Sequence, residues 1–256
     1  MPRRVAWSVT ITGMDLENAL NEQERAWQER PLLRRVYTDW YRTMIARLSP
    51  ASGRSLELGS GIGQLREFAG DRIVLSDVER TRWVEERVDA LALPDPDSSV
   101  ANIVMLDVLH HLADPAAFLD EAVRALAPGG RVVMIEPYCS PVSTFFYTRF
   151  HHERTDLSAD PFASDAATAL SPMESNQALP TLLFYRRRDE FARRWPELEL
   201  VEERRFSFLL YPLTGGFSRR PLAPVWLAGP FGALERALAP LASLLAFRCL
   251  VVLERR

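Results

Sequence analysis

The chain contains no lysine. All 31 of its basic residues are arginine, set against 34 acidic residues for a net charge of −3. Without lysine, neither Schiff-base chemistry nor a lysine general base is available. The uniform choice of arginine reads as a GC-rich codon bias. A charge balance this close to neutral offers no basic face for nucleic acid. Cysteine is equally scarce: Cys139 and Cys249 stand alone, far apart, and form no redox or metal motif. That usage suits a reduced, cytoplasmic protein. No apolar run reaches the ~18–20 residues that a membrane span needs. Val5 to Gly13, behind Arg3 and Arg4, is too short and too interrupted by Ser8, Thr10 and Thr12 to read as a signal peptide. Repeats and low-complexity linkers are absent as well. What remains is 256 residues, 47% hydrophobic and 25% charged, an ordinary composition for one α/β domain with a lid.

The glycines are concentrated where they tell most. Glu57-Leu58-Gly59-Ser60-Gly61-Ile62-Gly63 follows a short strand-forming stretch and precedes Gln64 to Ala69, which starts a helix. A strand, a glycine turn and a helix N-terminus allow backbone to approach a nucleotide-sized ligand that a Cβ would hold off. Ile73 to Asp77 reads as a second strand ending in a carboxylate, roughly 20 residues beyond the glycines, where a dinucleotide-type fold binds ribose hydroxyls. Val100 to Asp107 is a further strand, Phe118 to Leu126 has helical periodicity, Pro128-Gly129-Gly130 stops that helix, and Arg131 to Glu136 is the next strand. The alternation predicts a parallel βαβα sheet.

Glu57 to Gly63, Asp77, the Asp89 segment, Asp107-Val108-Leu109-His110-His111-Leu112 and Pro128-Gly129-Gly130-Arg131 together resemble class I S-adenosylmethionine (SAM)-dependent methyltransferases, in the branch with a compact "methyltransferase domain 11" core. The resemblance covers about residues 30 to 137. A nicotinamide enzyme has Gly-x-Gly-x-x-Gly; here the third glycine comes one residue earlier. The resemblance implies a Rossmann-like, doubly wound, seven-stranded sheet, mostly parallel with an antiparallel last strand, plus an N-terminal helical cap and lid insertions. It implies a single domain: a cap over about 15–50, a SAM-binding core over 51–137, a substrate or lid segment over 138–197, and C-terminal strands over 198–256 carrying an apolar insertion at 211–246.

On the same grounds Gly59, Ser60, Gly61 and Gly63 would lie under the methionine part of SAM, Glu57 would meet its ammonium, and Asp77 with Val78 would hold the ribose. Asp89 and Ala90 would flank the adenine, while Leu106 and Asp107 end the fourth strand beside the ammonium. The N-terminal helix carries the apolar stripe Leu32, Leu33, Val36, Trp40, Met44, Ile45 and Leu48; from it Trp40, Tyr41 and Arg42 would cap the ligand or pack in the core. His110 and His111 read mainly as cofactor wall, with His111 kept as a candidate base. His151 and His152, beside Glu153 in an irregular 138–180 segment, are the candidate bases outside the core. No ligand set at metal spacing is visible along the chain, so no metal is expected. In the late insertion Leu234, Leu238, Leu241 and Leu245 keep helical spacing and read as packing, under a lid or at a homodimer face.

The expected activity is methyl transfer from SAM, with S-adenosylhomocysteine (SAH) as product, to a small molecule with apolar or aromatic surface. O-methylation is favoured on base rates, in a biosynthetic pathway. The alternatives are C-methylation of a lipid or quinone-like precursor, or a SAM-binding homologue without turnover. No nucleic-acid or membrane partner is expected.

Overall fold

The computed structural model describes residues 13–151, 153–163 and 175–256; the N-terminal stretch weighed as a signal peptide lies outside them but for Gly13. β1 (Arg54–Leu58), β2 (Val74–Asp77), β3 (Glu86–Arg87), β4 (Val100–Leu106), β5 (Leu126–Pro137), β6 (Leu198–Phe206) and β7 (Arg248–Arg255) form one sheet in the order β3-β2-β1-β4-β5-β7-β6. β1 to β5 run parallel, and β7 is antiparallel to both β5 and β6. The strand order reverses between β1 and β4, so their carboxyl ends open a crevice where such sheets bind ligands.

The strands are covered on both faces, as parallel strands must be. Alternating side chains divide between two cores. Leu56, Leu58, Ile103, Met105, Val132 and Met134 pack with Phe118, Phe184 and Phe191 on one face. Val104, Val133, Ile135, Leu250 and Val252 pack with Trp27, Tyr37 and Trp40 on the other. The second core is built by α1 (Gly13–Glu29) and α2 (Pro31–Ile45). Proline opens α2 at a position where its missing N–H costs nothing, and a buried stripe from Leu32 to Met44 faces the sheet. α3 (Arg66–Ala69) follows the glycine turn, and α4 (Pro115–Ala125) is capped by Asp114, whose side chain accepts from the Ala117 N–H at 2.9 Å.

Two expectations change in the structure. The 138–180 segment is not irregular throughout, because Pro141–Phe150 forms α5. Ser140 caps it, and Ser143 at the third helical position returns a bond to the cap backbone. Serine in place of the usual Glu or Gln hid this box in the sequence. The leucine periodicity of the late insertion does not lie on one helix. It runs across a helix at Ala228–Ala237, a turn at Ala239–Leu241 holding Pro240, and a short helix at Ala242–Leu245. Leu238 and Leu245 reach the core, while Leu234, Leu241 and Leu244 are exposed.

Phe118→Ala, which empties a fully buried site between α4 and the sheet, should cost about 3–5 kcal/mol. Leu244→Ala should stay within about 0.5 kcal/mol. Urea unfolding of both variants checks the pair, and a large loss at Leu244 would mean that the insertion face is covered.

Candidate cofactor and acceptor site

β1 delivers Glu57 and the glycine turn to the crevice. Gly59 takes φ +67°, and a Cβ there would lie 2.5 Å from Val108 Cγ2; Gly61 takes φ +52° and faces open space. Those two positions need glycine, one for the close approach and both for the left-handed backbone. Ser60 locks the turn to β2, donating its N–H to the Ser76 carbonyl at 2.9 Å and accepting the Ser76 N–H on Oγ at 3.0 Å. Asp77, ending β2, accepts the Gly61 N–H at 3.2 Å and the Glu79 N–H at 3.3 Å. These use part of a carboxylate's four lone-pair sites. Gly63 donates its N–H to the Ser60 carbonyl at 2.7 Å.

Glu57 is 2% exposed, and its Oε2 has no hydrogen-bond partner. Burial pushes its carboxyl up to about 8; a contact with Ser60 opposes the rise and the Asp77 charge adds to it. A buried carboxyl with an unused oxygen beside a backbone cradle fits a cationic ligand with a polar tail. The residues present therefore suit SAM, whose ammonium Glu57 would meet.

The remaining cofactor candidates sit around this centre in different ways. Tyr41 is buried, donates its hydroxyl to Gln64 Oε1 at 3.3 Å and stacks on Phe68. Burial, and then the charge of Glu57, raise its pKa well above the ordinary value, which puts it within electrostatic reach of the cradle. The Val78 side chain is exposed, and its carbonyl accepts from Arg87 Nε at 2.9 Å. Asp89 turns its carboxylate onto the Leu91 N–H at 2.9 Å beside buried Ala90, a local turn. Leu106 ends β4 half-buried, and Asp107 follows at φ +59°, a conformation Asp tolerates better than most residues. Its carboxylate pairs with the Arg248 guanidinium, which also bonds the Tyr211 hydroxyl. Arg248 lies over the Tyr211 ring at 4.3 Å and the Trp40 ring at 5.4 Å.

Just beyond Asp107 the structure joins what the sequence keeps apart. His110 is 3% exposed, and its Nδ1 lies 2.6 Å from Glu136 Oε2. Glu136 Oε1 accepts the N–H groups of Val108 and Leu109, both at 2.8 Å. A carboxylate only accepts, so His110 Nδ1 carries a proton. His110 Nε2 lies 3.5 Å from Glu153 Oε2, and His111 Nε2 lies 4.0 Å from Glu153 Oε1. Burial alone would lower the His110 pKa, but Glu136 and Glu153 outweigh it and raise it to about 9. Burial works against ionisation of Glu153 too, yet His110, Gln177 and His111 hold its carboxyl well below the usual range.

His151 joins the same cluster. Gln177 Nε2 donates to Glu153 Oε2 at 2.8 Å and meets His151 Nδ1 at 2.9 Å; the Glu153 N–H also points at that nitrogen, at 3.3 Å. Both neighbours are donors, so His151 Nδ1 accepts and its proton sits on Nε2. His152 lies outside the described residues. Tyr147 and Asn176 serve the scaffold: the Tyr147 hydroxyl donates to the Phe247 carbonyl at 2.6 Å, and Asn176 brackets Asp156. Sequence reasoning missed that Glu136 organises the cluster; its place at the carboxyl end of β5 was the available signal.

Segments far apart in the sequence meet beside this region. Arg30 Nη1, between α1 and α2, donates to the Gly216 carbonyl at 2.8 Å, and Tyr37 packs edge-on to Phe217 at 5.2 Å. Arg219 reaches back to the Phe150 carbonyl of α5 at 2.8 Å.

Comparisons with known proteins agree with this architecture. A family model described as a methyltransferase domain (Methyltransf_23) matches residues 27–200, well over half of the chain. Its designation differs from domain 11, and the class is the same. The 27-O-demethylrifamycin SV methyltransferase of Amycolatopsis mediterranei (strain S699) is 41% identical over 68 residues, which are 27% of this chain and 25% of that protein. The match thus spans about a quarter of that relative's length. A SAM-dependent methyltransferase from Archaeoglobus fulgidus superposes with a TM-score of 0.53 at 14% identity, over 87% of this chain and 94% of its own. The geranyl diphosphate C-methyltransferase of Streptomyces coelicolor A3(2), solved with Mg2+, geranyl diphosphate and SAH, superposes with a TM-score of 0.51 at 14% identity, over 99% and 88%. At these identities the likeness concerns the fold.

Glu57 generates a test of the cradle. Folded protein keeps its proton up to about 8, whereas the ordinary value is 4.5. Its contribution to stability is therefore present below about pH 4.5 and lost as pH rises through 8, on the order of 4 kcal/mol by that point. Glu57→Gln should flatten this decline in denaturant unfolding between pH 5 and 8. An ammonium-bearing ligand should instead expel the proton. Calorimetry of SAH binding near pH 6.5 in two buffers of different ionisation enthalpy should then show close to one proton released. Equal heats in both buffers would remove Glu57 from the ligand contact.

Proposed function

The chain belongs to the methyltransferase-domain family, and from that premise we propose that it transfers a methyl group from SAM to a hydroxyl oxygen of a small molecule with apolar or aromatic surface. The observation that carries this reading is the Glu57–glycine turn–Asp77 assembly at the switch point of the sheet, with the His110–Glu153 cluster next to it. SAM, when bound, supplies an already activated methyl group, so the chain's own work is positioning, water exclusion and proton handling.

Gly59, Ser60, Gly61 and Gly63 would carry the methionine part, Glu57 the ammonium and Asp77 the ribose. Asp89 and Ala90 would border the adenine, as would Val78 next to Asp77. Leu106, Asp107 and Tyr41 would close the inner wall. On the acceptor side, His111 and Glu153 are the half-buried members of the cluster and would meet the acceptor's hydroxyl. His151, with its proton fixed on Nε2, would orient that oxygen by donating to it. α5 and the late insertion would exclude water, joined through Arg219. The rifamycin relative's name places its own acceptor chemistry at an oxygen, which supports the choice of oxygen over carbon. One observation favours the C-methylation reading: the insertion exposes Leu222 at 76% and Trp226 at 71%, a surface that suits a lipid-like acceptor.

SAH should bind in the micromolar range, about −7 to −8 kcal/mol. Asp77→Ala should weaken it by about 1.5–3 kcal/mol, as charge-assisted bonds are lost. Binding of NAD in place of SAH would overturn the reading. Against a panel of hydroxylated aromatics and isoprenoids, with SAH formation as the readout, His111→Gln and Glu153→Gln should cut turnover at least about 100-fold with SAH affinity intact. His151→Gln should raise KM more than it lowers kcat. Methylation of an isoprenoid carbon alone would select the second reading.

A further inference from the structure

We propose that His110, His111 and Glu153 form a divalent-cation site whose open positions take the acceptor's oxygen. The three groups come from two segments 42 residues apart, which is why chain spacing does not show them. One ring nitrogen each of His110 and His111 and one Glu153 oxygen all lie within 4.8 Å of one another. Bonds of about 2.0–2.2 Å at tetrahedral angles place ligand atoms roughly 3.4 Å apart. The 3.5 Å between His110 Nε2 and Glu153 Oε2 already matches, and the 4.0 Å between His111 Nε2 and Glu153 Oε1 needs a small closure.

The surroundings are those of a metal site and exceed what a surface ion pair requires. A ligating histidine usually donates its other N–H to a carboxylate, which fixes the ring and raises its basicity. Glu136, fully buried, does this for His110 at 2.6 Å, and is itself fixed by two backbone N–H groups. Gln177 holds Glu153 at 2.8 Å. The His111 ring lies beside the His110 ring, with centroids 4.2 Å apart, so that both rings approach Glu153. Glu136 and Glu153 flank the His110 imidazole, so a dication that displaces the Nε2 proton meets a carboxylate directly and a second one through the ring.

Two imidazoles and one carboxylate, with His111 and Glu153 partly exposed, leave coordination open, the pattern of zinc sites that hold an outside oxygen. The nitrogen ligands select Zn2+ or Co2+ over Mg2+, which prefers oxygen. Asp107, His110 and Glu136 also converge, but Arg248 and the backbone N–H groups engage those two carboxylates. The ion site stands on its own geometry; its role in holding the acceptor rests on the methyl-transfer reading above.

Full-length protein stripped with EDTA and titrated with Zn2+ should bind one ion per chain with micromolar or tighter affinity. Co2+ should give a visible d–d band of low-symmetry coordination, and Mg2+ should not compete. His111→Ala, at a half-exposed position, and Glu153→Gln should each lower Zn2+ affinity at least about 100-fold, and Glu136→Gln about 10- to 100-fold. SAH binding should persist in His111→Ala and Glu153→Gln, and a cooperative unfolding transition in Glu136→Gln, which verifies that each variant is folded. Wild type that binds SAH but neither Zn2+ nor Co2+ overturns this inference alone, as does Zn2+ affinity unchanged in His111→Ala. Zn2+ binding without SAH binding would instead sink the methyltransferase reading and leave the ion site standing.

Discussion

A carboxylate with no access to water is stable only where donors surround it. Glu136 meets that condition at the carboxyl end of β5, with two backbone N–H groups on one oxygen and the His110 ring on the other. The backbone donors belong to Val108 and Leu109, so this one side chain shapes the turn that leaves β4. The same Val108 stands 2.5 Å from where a Gly59 Cβ would be, which ties the cradle's shape to that turn. From the other oxygen the constraint passes through His110 to Glu153, and so to the segment behind α5. Removing the Glu136 charge would leave three donors facing a poorer acceptor, and the glycine turn and the His–Glu cluster would loosen together.

The cradle was legible because its parts lie close together along the chain. A glycine turn, a following helix and a carboxylate at the next strand end have a fixed order and spacing in this fold, and Glu57, Gly59, Gly61 and Asp77 stand at the corresponding places. The sheet was legible for a similar reason, since buried parallel strands are short apolar runs between turn signals. The His–Glu cluster was not. His110 and His111 read as one feature and His151 with Glu153 as another, because nothing local says that a loop residue returns to the end of β4. That return depends on long-range bonds, such as the Asn176 N–H to the His110 carbonyl at 2.9 Å. The late insertion misled for a different reason. Its leucines keep a helical period, but Pro240 breaks the helix that would align them.

The cover over the site is assembled from opposite ends of the chain. α2 supplies Tyr37 and Trp40, and the insertion before β7 supplies Tyr211 and Phe217, with Arg248 lying against Trp40 and Tyr211. An arginine serves here better than a lysine would. Its flat guanidinium stacks on rings while its N–H groups reach Asp107 and Tyr211. In a chain without lysine, this is where that preference has structural weight.

The division of the cluster between framework and loop also bears on descent. Glu136 sits at the end of β5 and His110 in the turn just beyond β4, which the sheet cannot shift without rebuilding its core. Glu153, His151 and Gln177 ride on one contiguous stretch that begins after β5 and is done before β6. A lineage built this way can exchange that stretch as a unit while inheriting the glycine turn and the strand ends unaltered. Diversity among descendants should therefore gather behind α5, with the strand ends as the fixed stock from which each variant is grafted.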